Sequence, residues 1–494
     1  MDNPNGFRTA LRGLLAVFAV AVVSLSIVAG MNYEGNIVIY AMFSLIANAL
    51  LLSGFRRHAL FFDTFIGVFL WLGFWMKLSV RVAFLFGEFH TPVGAFDGSG
   101  ADFDRALIVS SCGMAAFMIA SLVRERFFVY PKEPVDCEHT GLFSFNRAYR
   151  KLVIATFVVV VVLVAVTNIW LVIYQRGMVS QTILPFGLNG VYKWLLQFGL
   201  ASASAMIIRF ELKIHSNLSG VAVVVPLVEA FLSNVSLLSR GMILNASALG
   251  YGIFRHLAAM KRRVNTRLSV LAVVMLLALF IGSVFAVNFL RADDYARAQS
   301  YALGKSYSRL ASLGENWAVA ANMTLALFVD RWVGVEGVMA VSSSDRIGWG
   351  VWREAWQEKF RAGVPALYDR YFIDSPYLAP TMDWTRHHFV SLPGVIAFFF
   401  FPGSLLFLFI SLLFVAWIAA LLEMGAYRFC GRNWVLCALF GEVIAFRLAS
   451  FGYVPSQSHL FFGALFLNIV IIFVAELVAR KVMAIRPNSG NGPV

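Results

Sequence analysis

The chain has 494 residues, 60% of them hydrophobic and only 14% charged, and a formal net charge of +13. Its mean hydropathy of +0.76 excludes a soluble globular domain, which could not hide so much apolar surface. In such a chain the positive excess reads as lysine and arginine collected on one membrane face, not as a nucleic-acid footprint.

The first apolar stretch, LLAVFAVAVVSLSIVAG (Leu14 to Gly30), follows MDNPNGFRTALRG directly. Nothing between them resembles a cleavage site, so it reads as an uncleaved first helix. With roughly 20 apolar residues needed per crossing, about twelve spans are predicted, at 11–30, 36–54, 59–85, 105–123, 152–174, 189–209, 218–238, 241–258, 268–290, 404–423, 433–450 and 459–479. The seventh and eighth are closely apposed and also fit one broken unit. The four cysteines, Cys112, Cys137, Cys430 and Cys437, have no metal-ligand spacing and frame no disulfide pattern.

Charge then orients the chain. With the N-terminus inside, the cytoplasmic connections hold Arg56 and Arg57, then Arg124 to Lys151, Lys213, Arg255 to Arg267, Arg428 with Arg432, and Arg480 to Arg486. The alternate connections are poor in positive charge, and GEFHTPVGAFDGSGADFD is acidic. Both termini are therefore expected in the cytoplasm. Residues 1–290 carry helices one to nine, 291–403 an outer cap, 404–482 helices ten to twelve, and 483–494 a cytoplasmic tail. The cap holds Trp317, Trp332, Trp349, Trp352, Trp356 and Trp384, large apolar groups that disordered segments lack. Helical periodicity at 300–329 and 351–364 makes it mostly helical. The fold class is an all-α polytopic membrane protein with a large, mostly helical extracytoplasmic loop.

The informative residues are the exceptions to the charge bias. Arg176 in YQRGMVSQ and Arg240 in LLSRGMI sit at short outer connections, each followed by glycine. Arg447 lies in the last turn of an outward-running helix, and Arg331 and Arg346 lie in FVDRWVGVEGVMAVSSSDRIG. A terminal arginine can simply snorkel to lipid phosphates. An outer group of them also suits bidentate recognition of a phosphate-bearing ligand. Glu229 and Glu442 are intramembrane carboxylates, functional by default or paired. Glu442 and Arg447 are five apart, a poor helical pairing distance, while Lys77 and Arg81 offer other counter-charges. His387 and His388, where the cap re-enters the membrane, fit a general base or a headgroup anchor. Glu336, between glycines, is a further candidate for activating a hydroxyl. No metal triad or phosphate-cradling glycine loop is present.

The segments YQRGMVSQTILPFGLNGVYKWLLQFGL, LLSRGMILN, DRWVGVEGVMAVSS and HHFVSLPGVIAFFFFPGSL occur in this order. Together they resemble the Wzy-type O-antigen and capsule repeat-unit polymerases, over most of the chain from Arg176 onward. The resemblance implies a glycosyltransferase of the bacterial inner membrane. Its substrate would be an oligosaccharide on undecaprenyl diphosphate at the periplasmic face, with neither cofactor nor metal. It further implies a partner that controls chain length. By position it assigns Arg176 and Arg240 to the diphosphate side and makes Arg331 with Glu336 a closing segment; Arg447 joins them on topology alone. A lipid-carrier glycan ligase shares this chemistry. A lipid or glycan transporter and an envelope scaffold are the readings from other classes.

Overall fold

The computed structural model describes residues 4–89, 92–131, 141–215, 218–239, 241–261, 266–302, 329–361, 364–373, 388 and 390–485. Among these the chain is helical throughout, without a strand. In chain order the helices are α1 (Pro4–Met31), α2 (Ile37–Gly54), α3 (Phe61–Leu70), α4 (Lys77–Phe84), α5 (Gly100–Arg124) and α6 (Gly141–Ala148). They continue with α7 (Arg150–Leu171), α8 (Leu188–Trp194), α9 (Leu200–His215), α10 (Gly220–Ser236), α11 (Ile243–Ala259) and α12 (Thr266–Ala302). The cap contributes α13 (Val335–Ser342), α14 (Trp349–Gln357), α15 (Leu367–Tyr371) and α16 (Val395–Phe399). Last come α17 (Leu405–Phe429), α18 (Trp434–Ala449) and α19 (Ser458–Ile485).

Side-chain caps set several of the starts. Asn36 accepts from the Val38 amide at α2, and Ser99 from Asp102 at α5. Ser219 accepts from Ala222 at α10, and Asn433 from Val435 and Leu436 at α18. Each satisfies a first-turn amide that hydrocarbon could not.

Among the described residues nine helices are long and apolar enough to cross a membrane. The other three predicted spans are α10 and α11, of 17 residues each, and α18, of 16. At about 1.5 Å per residue these reach roughly 25 Å, short of the ~30 Å hydrocarbon core. The reason is position. Helix α18 is the inner post, packed against α3, α9, α11 and α17, and is buried along nearly its whole length. A helix that meets protein on all sides is not held to bilayer thickness.

Two helices that hydropathy reads as continuous are interrupted. A π-helical segment, Trp71–Met76, separates α3 from α4, and a second, Leu195–Gly199, separates α8 from α9. The ninth predicted span ends at 290, but α12 runs on to Ala302, carrying the membrane helix into the cap. The predicted helix over 300–329 lies almost wholly outside the described residues. The one predicted over 351–364 is found as Trp349–Gln357. It stops where Glu358 turns extended, and the Glu358 carboxylate accepts from the Leu367 and Val454 amides. Burial pushes that carboxyl upward.

The end rich in basic connections is knit by buried charge. Glu423 of α17 accepts from the Phe61 and Phe62 amides at 2.9 and 2.7 Å and from the Tyr130 hydroxyl. Asp63 pairs with Arg124. Arg255 lies over the Phe61 ring and donates to the Ala59 carbonyl.

Candidate functional site

At the opposite end, the interrupted helices bring two sets of charges to neighbouring places. The first is centred on Lys77. The π segment before it presents Gly73 to the cap with backbone against backbone. A Cβ at Gly73 would lie 2.4 Å from the Val333 carbonyl oxygen, and one at Gly334 2.1 Å from that of Gly73. This approach sets Lys77 under the 330–336 segment. Its Nζ donates to the Asp330 and Trp332 carbonyls and to both Glu336 oxygens, at 2.8 and 3.0 Å. Lys77 is 2% and Glu336 5% exposed. Arg81, one turn on, pairs with Asp330 and donates to the Glu88 carbonyl.

Glu336 was expected in an outer-loop segment closing over the site. That segment forms a helix, α13, in which every residue is buried. Gly337 lets that helix seat against Pro393, whose carbonyl would lie 2.0 Å from a Cβ there. Arg331 is half-buried in the same turn. The sequence counted Lys77 and Arg81 as counter-charges for intramembrane carboxylates; they serve the cap segment.

The second set is built on three connections. The Arg176 amide donates to the Leu237 carbonyl at 2.8 Å, tying the turn after α7 to the turn after α10. Gly177 holds φ +83°, a turn that favours glycine. Gly241 serves a different need: a Cβ there would meet the Phe446 ring at 3.2 Å and Arg176 Nη1 at 3.5 Å. The Arg176 guanidinium lies 5.7 Å from the centroid of that ring. Arg447, the next residue, lies over Phe461 at 5.9 Å and within electrostatic reach of Tyr174 and Arg176. Its Nε is buried and has no hydrogen bond among the described residues.

Tyr174 stands between these groups. Gln197, in the second π segment, donates to its hydroxyl at 3.0 Å, and Lys193 Nζ lies 5.4 Å from its ring centroid. Glu442, buried in α18, is the carboxylate within reach of Arg176. One of its oxygens accepts no hydrogen bond among the described residues. The cation within its electrostatic reach is thus Arg176, from the turn after α7.

His388 joins this set through the backbone. Its amide donates to the Gly177 carbonyl at 3.0 Å, and its Nε2 bonds the Tyr453 hydroxyl at 2.6 Å. Phe360 packs edge-on against the ring. Burial holds the imidazole below its ordinary value and pushes the Tyr453 phenol up, so at neutral pH both are uncharged. Nδ1 makes no hydrogen bond among the described residues.

The two sets meet through aromatic rings. Phe69 stacks on Trp332 at 6.0 Å and meets Phe446 edge-on at 5.8 Å. Of the residues singled out in the sequence, the structure gathers Arg176, Arg447, Glu442 and His388. It holds Glu336 apart from them, on Lys77. Arg346 is exposed and donates to the Tyr371 carbonyl in the cap. Glu229 is buried in α10, accepting from Ser233. Arg240 and His387 lie outside the described residues, although Gly241 places the next residue after Arg240 beside Arg176. Lys193, Tyr174 and Gln197 escaped notice; the signal was present in Lys193, a cation near the outer end of the predicted span 189–209. No three His, Cys, Asp or Glu gather in metal-binding geometry among the described residues.

No family model matches the chain, and neither a curated protein nor a solved structure proves significantly similar to it.

Proposed function

We propose that this chain is an integral membrane glycosyltransferase of the Wzy type. It joins undecaprenyl-diphosphate-linked oligosaccharide units at the periplasmic face of a bacterial inner membrane, with both termini in the cytoplasm. The observation that carries the reading is the gathering of Arg176, Arg447 and Lys193 around Tyr174, at the end opposite the basic connections. The four ordered segments that resemble those of such polymerases include Tyr174, Arg176 and Lys193 of this group, and His388 beside it.

In this reading the lipid diphosphate lies against the arginines. As the bond from the anomeric carbon to the diphosphate oxygen breaks, that oxygen keeps the electron pair. Fixed guanidinium groups stabilise the charge without having to reorganise. The accepting sugar hydroxyl forms the new bond to the anomeric carbon and gives up its proton. Neutral His388 is the base this geometry favours, because both Glu336 oxygens are engaged by Lys77. Glu336 then acts as a positioning residue for the segment bearing Arg331. A chain-length regulator remains part of the proposal as a partner.

The test is polymerisation by purified, reconstituted protein with a lipid-diphosphate repeat unit, comparing wild type with Arg176→Ala and Arg447→Ala. A product ladder from wild type, and its loss in both variants while they stay folded, supports the reading. An authentic substrate left untouched by folded wild type overturns it. Addition of a single unit only to a finished lipid core would instead identify the ligase. A transporter remains the second reading, because interrupted helices, those carrying Trp71–Met76 and Leu195–Gly199, reach the site; transport of the lipid-linked unit without polymer would support it.

A further inference from the structure

The basic end holds a cavity of about 380 Å³ between α9, the turn joining α17 to α18, and α19. Its lining combines Arg209, Arg428, Arg432 and Arg480 with apolar groups that include Phe429 and Phe473. The two phenylalanines are 52% and 41% exposed and meet edge-on at 6.2 Å. They lie on helices whose other exposed faces are apolar, so this wall opens toward lipid.

The turn is built to fit the arginines. Gly431 and Arg432 both adopt left-handed backbone, at φ +69° and +59°. A Cβ at Gly431 would lie 2.8 Å from Arg209 Nη1, so the glycine admits the guanidinium, which donates to the Cys430 carbonyl at 3.3 Å. A non-glycine residue held at positive φ is strained unless something is gained; here the turn brings Arg432 to the cavity that Arg428 also lines.

The single carboxylate of the lining does not neutralise the set. Glu476 accepts from the Gly141 and Leu142 amides at 2.7 and 3.0 Å and from Arg480 Nε at 2.7 Å. It pairs with Arg480 and caps the start of α6. Arg209, Arg428 and Arg432 form no ion pair among the described residues. Three cations therefore line a cavity of ligand size, at the level where α17 ends its apolar span.

We infer that this cavity binds the headgroup of an anionic phospholipid from the leaflet at the basic end. The phosphate engages Arg209, Arg428 and Arg432, and the upper acyl chains rest on Phe429 and Phe473. The open apolar wall is what favours a lipid over a soluble phosphate: a free anion gains nothing from it.

The test uses full-length protein in neutral detergent, with lipid occupancy read by native mass spectrometry. The probes are dioleoyl phosphatidylglycerol, dioleoyl phosphatidylcholine and glycerol phosphate. Wild type is expected to retain phosphatidylglycerol over phosphatidylcholine. Arg428→Gln with Arg432→Asn should weaken that retention by about tenfold or more; asparagine is chosen because it tolerates left-handed backbone. Arg57→Gln with Arg126→Gln removes the same charge from exposed residues at the same end and should leave it unchanged. Should the first pair not fold, Arg428→Gln alone carries the comparison, with a smaller loss expected. Equal retention of the two lipids, equal loss in both double variants, or an unaltered response in the cavity variant would overturn the inference. Displacement by glycerol phosphate at equal concentration would reassign the cavity to a soluble phosphate.

Discussion

Replacing Lys77 with methionine leaves Glu336 as a carboxylate that is 5% exposed with its ion-pair partner gone. Breaking one side of a buried pair costs about 3–5 kcal/mol. The Asp330 and Trp332 carbonyls lose a donor as well, adding about 1 kcal/mol each. Lys77→Met should therefore destabilise the protein by about 5 kcal/mol or more. Adding Glu336→Leu removes the stranded charge, and only the carbonyl loss of about 2 kcal/mol should remain. Glu336→Leu alone strands the buried Lys77 ammonium and should cost about 3 kcal/mol or more. The double-mutant cycle, followed by denaturant titration in mixed micelles, should thus return a coupling of about 6 kcal/mol. The same four proteins decide whether Glu336 enters the chemistry. A pair that only positions the segment predicts that the double variant regains much of the polymerisation lost in each single one. A double variant that is stable yet wholly inactive, or a coupling under about 0.5 kcal/mol, would refute the reasoning.

Four further outcomes follow from the geometry. Gly334→Ala places a methyl 2.1 Å from the Gly73 carbonyl oxygen at a contact between two backbones; a loss of about 1–3 kcal/mol is expected by thermal unfolding. The depressed imidazole of His388 is neutral in both states above the ordinary value of 6.5, so its stabilising contribution is complete there and is lost as pH falls through the lower folded value. The acid limb of the kcat/KM profile should accordingly have its midpoint below 6.5, and a midpoint above it would exclude this histidine as the base. Lys193→Ala should raise KM for the lipid diphosphate about fivefold with kcat little changed, as loss of a partly exposed cation does. Glu423→Gln, which weakens the capping of the Phe61 and Phe62 amides, should cost about 1–2 kcal/mol in thermal unfolding without moving KM.

The spans were legible because hydrocarbon demands long apolar runs, and Arg176 and Arg447 because they break the charge bias. What hydropathy hides is the backbone. The Trp71–Met76 segment has an ordinary membrane composition, and only the close approach of Gly73 to Gly334 distinguishes it. Pairing was equally hidden. Lys77 and Glu336 are 259 residues apart, and no spacing rule connects them. The five-residue gap between Glu442 and Arg447 argued against that pair, and Arg176 is the cation within electrostatic reach of the carboxylate. Glu336 was misplaced for a physical reason: VEGVMAVS is short and glycine-flanked, which reads as a loop, yet small residues are what a helix needs to be buried against Gly73 and Pro393. The lengths of α10, α11 and α18 were overestimated because hydropathy cannot tell protein-facing from lipid-facing residues.

The Glu423 cap has a consequence for how the chain is made. Its acceptor oxygens lie 362 and 361 residues beyond the amides they satisfy. While the polypeptide emerges from the ribosome, the first turn of α3 enters the bilayer with two amides that wait for α17. Lys77 and Arg81 wait likewise for the cap. The early helices therefore pass most of synthesis as a loosely held assembly sheltering unpaired charge, and close only when the last third of the chain has been inserted.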